Sequence, residues 1–236
     1  KILSIYSNHP KVKIIVSDDS TELNIQKKIK KLCEEKEILY FRGPQTNAIK
    51  NWNFLLEKID TPFFVLNHHD DCPNNLDFLD HLDKDITGIL LLPCTSYISD
   101  KMHVRLSSRH QRIHIKFLKI FPNVLINLFL AATASVIVNK KLGFNKFNEE
   151  LKWYVDNEWY YRIMKDCEAK KLKISFFSKT RIISRQTNDS ISFKIKNILE
   201  RIKTREMNLL KDTKMIPNRF IHLAQKIISL LFIIDS

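Results

Sequence analysis

Glycine is scarce in this chain of 236 residues. The three glycines, Gly43, Gly88 and Gly143, each stand alone. The dinucleotide fingerprint and the P-loop both need several glycines within a few residues, because backbone N–H groups must approach a pyrophosphate closely. The sequence therefore excludes both motifs, and the phosphates of any bound nucleotide must be held by side chains and a metal ion.

Paired cysteines and long apolar runs are also missing. The four cysteines lie far apart and form no CxxC pair, which disfavours a zinc site or a disulfide framework and indicates reduced thiols. The longest apolar run has 13 residues from Ile126, fewer than the ~20 that span a bilayer. We therefore expect a cytoplasmic protein without a transmembrane helix or a signal peptide.

Acidic residues are few relative to basic ones. The chain has 39 lysines and arginines against 26 aspartates and glutamates, a net charge of +13. Residues 101–148 contain no acidic residue and nine basic ones. This distribution predicts one strongly positive surface that attracts polyanions. Nucleic acid, an anionic membrane and a phosphorylated substrate all fit, and charge alone does not choose among them.

Apolar strands alternate with helical patterns through about the first 100 residues. The expected strands cover residues 12–17, 37–41, 62–67 and 87–93, and the expected helices cover residues 22–35, 46–59 and 74–82. Strands without polar alternation, separated by helices, predict an α/β fold with a parallel sheet covered on both faces. The second part is less regular, with strands expected at 134–139, 172–177 and 181–184 and helices at 117–130, 156–167, 193–210 and 219–234.

Two polar clusters follow two of these strands, at the point where each strand ends. Asp18 and Asp19 follow the first strand, and the run His-His-Asp-Asp at residues 68–71 follows the third. The carboxyl ends of parallel strands meet at one edge of a sheet, so these carboxylates should converge on one crevice. Mg²⁺ or Mn²⁺ would relieve their repulsion and bridge to diphosphate oxygens. The alternative is a helix cap and a polar turn without chemistry.

Two further motifs complete the pattern, IKNWN from Ile49 and YVDNEWYYR from Tyr154. In order and spacing, the four motifs resemble the inverting family 2 nucleotide-sugar glycosyltransferases of the GT-A fold. The resemblance implies a GT-A-like domain over residues 1–190, with a mostly parallel central sheet flanked by helices, and a C-terminal helical extension over residues 191–236. The family's opening strand has no counterpart here, which makes residues 1–11 the expected remnant of its first helix and predicts a missing N-terminal segment.

The resemblance implies how a nucleotide-sugar donor would be held. Asp18 matches the carboxylate that receives an N–H of the nucleobase, and Asp19 stands beside it. Lys50 and Asn51 match the basic and amide positions near the sugar diphosphate. We expect these four residues to line one end of the crevice.

The resemblance also implies a metal site. Asp70 matches the metal ligand of the family's Asp-x-Asp region, with Asp71 as its neighbour. His68 stands where the family usually has aspartate, and an imidazole there would favour Mn²⁺ over Mg²⁺ or contact the ribose of the donor. Either His68 or His69 could serve as a further ligand, and an ordinary hydrogen-bonded histidine is the alternative.

A lid over the diphosphate is the next feature that the resemblance implies. Residues 184–192 resemble the mobile segment that closes over the donor in this family. Arg185 is the expected phosphate contact, because a guanidinium binds two oxygens at once. An ordinary polar loop is the alternative.

The YVDNEWYYR motif supplies the expected catalytic base. Inverting transfer needs a carboxylate that takes the proton of the acceptor hydroxyl as its oxygen attacks the anomeric carbon. Asp156 matches that base, and Glu158 is the second candidate. The alternative is that Asp156 only caps its helix.

The C-terminal tail combines positive charge with an apolar stripe. Apolar residues recur at helical spacing over residues 219–234, a pattern typical of an interfacial membrane helix, of core packing or of dimerisation. We therefore expect contact with an anionic membrane surface, peripherally on its inner face.

The resemblance thus implies a metal-dependent transferase that moves a hexosyl or N-acetylhexosaminyl group. The expected donor is a UDP-sugar, and the expected acceptor is a glycan or lipid-linked saccharide in surface polysaccharide synthesis. The alternatives are an inactive transferase-fold scaffold at a membrane and a basic nucleic-acid-binding protein. Nucleic acid is disfavoured because the chain shows no recognisable module for it.

Overall fold

A parallel strand–helix–strand unit opens the fold. The computed structural model describes residues 5–7, 9–98, 101–106, 132–142, 146–186 and 198–212. Strand β1 (Ile15–Asp18) pairs in parallel with β2 (Leu39–Arg42), and helix α1 (Leu23–Glu35) connects them. The order and type of these elements are as predicted, with boundaries shifted by at most three residues.

Helix α2 (Ala48–Glu57) follows β2 and packs against β1. It begins after Asn47, whose side chain accepts a hydrogen bond from the backbone N–H of Lys50 at 2.9 Å. Asparagine is a favoured residue at this position because its oxygen satisfies an N–H that has no partner inside the helix. The cap thereby sets where Lys50, Asn51 and Trp52 emerge on the helix.

The remaining described strands form two mixed sheets. In the first, β3 (Phe63–Phe64), β8 (Val136–Asn139), β5 (Thr87–Leu91) and β9 (Lys173–Phe176) lie in that order, and only β5 and β9 are parallel. In the second, β4 (Asp71–Pro73), β10 (Ile182–Gln186), β6 (Cys94–Ile98) and β7 (Lys101–Leu106) lie in that order, and only β10 and β6 are parallel.

The mixed α/β class is as predicted, but the sheets are not mostly parallel. Three of the seven pairings among the described strands are parallel, namely β1 with β2, β5 with β9 and β6 with β10. A continuous apolar run shows that a strand is buried on both faces, and it carries no information on the direction of its neighbours. Strands β4, β6 and β7 were not predicted, and the helix expected at 74–82 is a 3₁₀ turn at Asp77–His81.

Strand β5 divides the core into two layers. Ile89 and Leu91 pack with one cluster, and Leu90 and Leu92 pack with the other, because successive side chains of a strand point to opposite faces. Helix α3 (Val155–Ala169) covers the first cluster and buries Trp159, Tyr160 and Ile163 among other side chains.

The last described helix, α4 (Leu199–Asp212), joins the same core. Leu210 is buried in the first cluster, and Met207 and Leu209 pack against it. The expected helices at 117–130 and 219–234, and most of the basic block from residue 101 to residue 119, lie outside the described residues.

Candidate functional site

Asp18 lies at the carboxyl end of β1 and is held by several donors. Its Oδ1 accepts the backbone N–H of Ser20 at 2.9 Å and the Ser20 hydroxyl at 2.5 Å, and its Oδ2 accepts the Tyr40 hydroxyl at 2.9 Å. Arg42 lies 3.5 Å from Oδ2. Burial alone would raise the pKa of Asp18, but these hydrogen bonds and the Arg42 charge outweigh it, so the pKa lies below its ordinary value. The carboxylate therefore stays ionised.

Asn51 ties helix α2 to the end of β1. The Ser17 hydroxyl donates to its Oδ1 at 2.5 Å, and its Nδ2 donates to the Ser17 carbonyl at 3.4 Å. Gly43 makes room for this contact, because a Cβ at that position would stand 2.4 Å from the Asn51 oxygen. Lys50, one residue earlier, is exposed with its ammonium 4.0 Å from Glu149, so it can turn toward an anion. Asp19 accepts the backbone N–H of Gln45.

The His-His-Asp-Asp run places one histidine beside two aspartates. His68, Asp70 and Asp71 each offer a ligand atom, and these atoms lie within 4.8 Å of one another. Asn67 stabilises the loop, since its Nδ2 donates to the carbonyls of His68 at 2.8 Å and Asp71 at 2.7 Å. His69 is exposed and is not in this group. The structure thus brings His68, rather than His69, to the two aspartates.

Trp52 joins this loop to the Asp18 end of the site. Its indole stacks on the His68 ring with centroids 5.0 Å apart and an interplanar angle of 30°. Because Asn51 contacts Ser17 and the next residue contacts His68, two consecutive residues of α2 link β1 to the His-His-Asp-Asp run. Helix α2 therefore contacts both segments, one at Ser17 and the other at His68.

The donor set of this group suits a divalent cation. Burial lowers the pKa of His68, and the Asp156 and Asp70 carboxylates offset the effect only in part, so burial favours the neutral imidazole, the form that can ligate a metal ion. Its Nε2 is buried and has no hydrogen-bond partner among the described residues. One imidazole nitrogen and two carboxylates form a set that Mn²⁺ accepts readily. His68, Asp70 and Asp71 are the residues that could hold such an ion.

Asp156 lies in the first turn of α3, where its carboxyl interacts electrostatically with His68 and Asp71. Burial raises the pKa of its carboxyl to about 6; the nearby His68 lowers it and Asp71 raises it. Its Oδ1 is buried and has no hydrogen-bond partner among the described residues. A carboxylate with a pKa close to neutral, and with one oxygen that accepts no hydrogen bond from the described residues, is suited to accept a proton.

Glu158 is engaged in a different role. Its carboxylate is buried and forms a two-pronged ion pair with Arg162, with Oε1 accepting from Nε at 2.6 Å and Oε2 accepting from Nη2 at 2.8 Å. Arg162 also donates to the carbonyl of Lys146 at 2.6 Å. Both oxygens of Glu158 therefore accept hydrogen bonds from Arg162, whereas Oδ1 of Asp156 accepts none from the described residues.

Arg185 lies on β10, beside the aspartate loop. Its backbone N–H donates to the Asp70 carbonyl at 3.1 Å, and its exposed guanidinium lies over the Tyr97 ring, 5.9 Å from the centroid. Pairing of β10 with β4 thus brings the expected phosphate contact next to Asp70. Residues 187–192, the rest of the expected lid, lie outside the described residues.

Several residues of the site have no counterpart among the sequence predictions. Tyr40 and Arg42 hold Asp18, Asn67 closes the aspartate loop, and Trp52 supports His68. Asn67 directly precedes the His-His-Asp-Asp run, and Trp52 lies within the IKNWN motif, so a position in or beside a motif was the available signal. The contacts themselves depend on tertiary packing.

Comparisons with known proteins give no match to a family model and no significant match to a curated protein. A functional assignment therefore depends on the geometry of the site. No helix among the described residues is long and apolar enough to cross a membrane.

Proposed function

We propose that this protein is an inverting glycosyltransferase with a GT-A-like fold, which moves a sugar from a nucleotide diphosphate to a hydroxyl of a glycan or lipid-linked acceptor. The observation that carries the proposal is the proximity of Asp156 to His68 and Asp71. A half-buried carboxylate with a raised pKa interacts with residues that could hold a cation, an arrangement that suits transfer between an acceptor hydroxyl and a diphosphate leaving group.

In the proposed reaction, Asp156 takes the proton from the acceptor hydroxyl. The hydroxyl oxygen forms a bond to the anomeric carbon, and the bond from that carbon to the diphosphate oxygen breaks with its electron pair on the leaving nucleotide. With no cation bound, a pKa of about 6 keeps Asp156 mostly ionised at neutral pH, yet basic enough to accept a proton. Inversion follows because attack and departure occur on opposite faces of the sugar.

His68, Asp70 and Asp71 would hold Mn²⁺ or Mg²⁺ in this proposal. When bound, the cation supplies charge stabilisation for the departing diphosphate. Lys50 on α2 and Arg185 on β10 add positive charge, since both are exposed and able to turn toward phosphate oxygens. Asp18, held ionised by Tyr40, Ser20 and Arg42, would recognise the nucleobase.

The proposed setting is the cytoplasmic face of a membrane. The net charge of +13 and the acid-free stretch over residues 101–148 support attraction to an anionic surface. A lipid-linked acceptor would be met there. The apolar stripe of residues 219–234 could instead form a homodimer interface, which is the alternative to membrane contact.

A donor assay tests the transferase proposal. Purified protein is incubated with UDP- and GDP-sugars, with Mn²⁺, Mg²⁺ or a chelator, and the release of nucleoside diphosphate is measured. We expect slow, cation-dependent release from one donor. If no donor gives nucleoside diphosphate release, and none shows cation-dependent nucleotide binding, the inactive scaffold is favoured instead.

The matched variants are Asp156→Asn and Glu168→Gln. Both replace an acid of α3 by its neutral isostere, but Glu168 is exposed at the far end of the helix. Asp156→Asn should lower turnover by ~10²–10⁴ with nearly unchanged donor affinity, whereas Glu168→Gln should have no effect. Full turnover in Asp156→Asn would remove Asp156 from the role of base.

A further inference from the structure

The first turn of α3 has no capping side chain of its own. Tyr154, which precedes the helix, makes no side-chain cap hydrogen bond. The first N–H groups of any helix have no partner within it, and buried N–H groups need one. The partner for the chain just before α3 comes from another helix, α4.

Glu206, in the middle of α4, accepts hydrogen bonds from three consecutive backbone N–H groups. Its Oε1 accepts from Lys152 at 2.6 Å, and its Oε2 accepts from Trp153 and Tyr154, both at 2.9 Å. The residue is 2% exposed. Hydrogen bonds to a buried carboxylate are stronger than neutral ones, and a negative charge at a helix N-terminus is favourable. This contact joins residues more than 50 positions apart in the chain.

We infer that Glu206 is a positioning residue for Asp156. Asp156 comes two residues after the last anchored N–H, and its Oδ1 has no hydrogen-bond partner among the described residues. Such an oxygen is held in place mainly by the backbone that carries it. Glu206 fixes that backbone from α4, and the buried Leu210 secures α4 in the core. The catalytic half of this inference rests on the proposed function.

The test compares Glu206→Gln with Glu168→Gln. Glutamine keeps the size of the side chain, but it loses the charge and replaces one acceptor oxygen by a donor that faces N–H groups. Hydrogen exchange of the amides in residues 152–158 reports the anchor without any need for activity. We expect exchange there to be about 10-fold faster in Glu206→Gln, and unchanged in Glu168→Gln.

Transfer kinetics report the positioning. A displaced base should lower kcat by about 10- to 100-fold while the KM for the donor stays nearly constant. The reason is that Asp18, Lys50 and Arg185, the residues proposed to contact the donor, lie outside α3 and α4. Glu206→Asp, which keeps the charge, should fall between the wild type and Glu206→Gln in both measurements. If Glu206→Gln does not fold, Glu206→Asp provides both measurements in its place.

The outcomes are separable. Unchanged exchange in residues 152–158 would overturn the anchor. Faster exchange with an unchanged kcat would overturn the positioning role. A wild-type protein without transfer activity would refute the proposed function and with it the catalytic half, while the exchange measurement would still decide the anchor.

Discussion

Replacement of Asp156 by asparagine should stabilise the protein while it removes activity. Burial raises the pKa of Asp156 from 3.8 to about 6, so the folded state binds a proton more tightly than the unfolded state does. The contribution of Asp156 to the free energy of unfolding is therefore most favourable below pH 3.8, and it falls as the pH rises toward 6. About 2 pH units at ~1.4 kcal/mol each amount to roughly 3 kcal/mol against the folded state at neutral pH.

Asparagine cannot ionise, so the free energy of unfolding of Asp156→Asn should not decrease in this way as the pH rises. We expect its free energy of unfolding to exceed that of the wild type by up to about 3 kcal/mol at pH 7.5, and by much less at pH 4.5. In a chain of this size, the gain corresponds to roughly 6–12 °C in Tm. Urea unfolding at several pH values between 4.5 and 8, with a chelator present, measures the difference.

Glu158→Gln is the control for this experiment. It weakens the buried ion pair with Arg162, so it should destabilise the protein by about 1–3 kcal/mol at neutral pH. The reasoning fails if Asp156→Asn is no more stable than the wild type at pH 7.5, or if its effect on stability is the same at pH 4.5 and 7.5. Either result would mean that the carboxyl of Asp156 is solvated in the folded protein.

Three further predictions concern the cation, the nucleotide and the membrane. Asp70→Ala should abolish transfer and weaken nucleotide binding only when Mn²⁺ is present; calorimetry that shows the same affinity in both proteins, with and without Mn²⁺, would remove Asp70 from the site. Asp18→Asn should cost about 1–3 kcal/mol of stability at pH 7, because the lowered pKa of Asp18 means that its ionised form stabilises the fold. That deficit should shrink as pH falls below 3.8 and the wild-type carboxylate is protonated; a deficit independent of pH in acid unfolding would contradict this assignment. The protein should float with anionic but not neutral liposomes, less so at high salt or without residues 218–236, and equal recovery with both lipids would exclude the electrostatic attachment.

Local patterns along the chain were sufficient to predict many elements. The helices at Leu23–Glu35, Ala48–Glu57 and Val155–Ala169 all have a recognisable apolar period, and the strand at Thr87–Leu91 is a continuous apolar run. Short strands such as Asp71–Pro73 were missed because three residues are too few for a period to show. Strand direction was also missed, since it depends on which distant segment supplies the partner.

The sequence by itself determined which chemical groups are available, namely the carboxylates after the first strand, the His-His-Asp-Asp run and the acids of YVDNEWYYR. Only the tertiary structure decided what each group can do. Asp156 and Glu158 are two residues apart, and the resemblance alone ranked Asp156 first. In the structure Arg162 donates to both oxygens of Glu158, whereas Asp156 retains a buried oxygen without a partner among the described residues. His68 rather than His69 joins the aspartates, and Glu206 reaches the start of α3 from more than 50 residues away. A side chain's pKa and partners depend on burial and on long-range contacts, which no local pattern records.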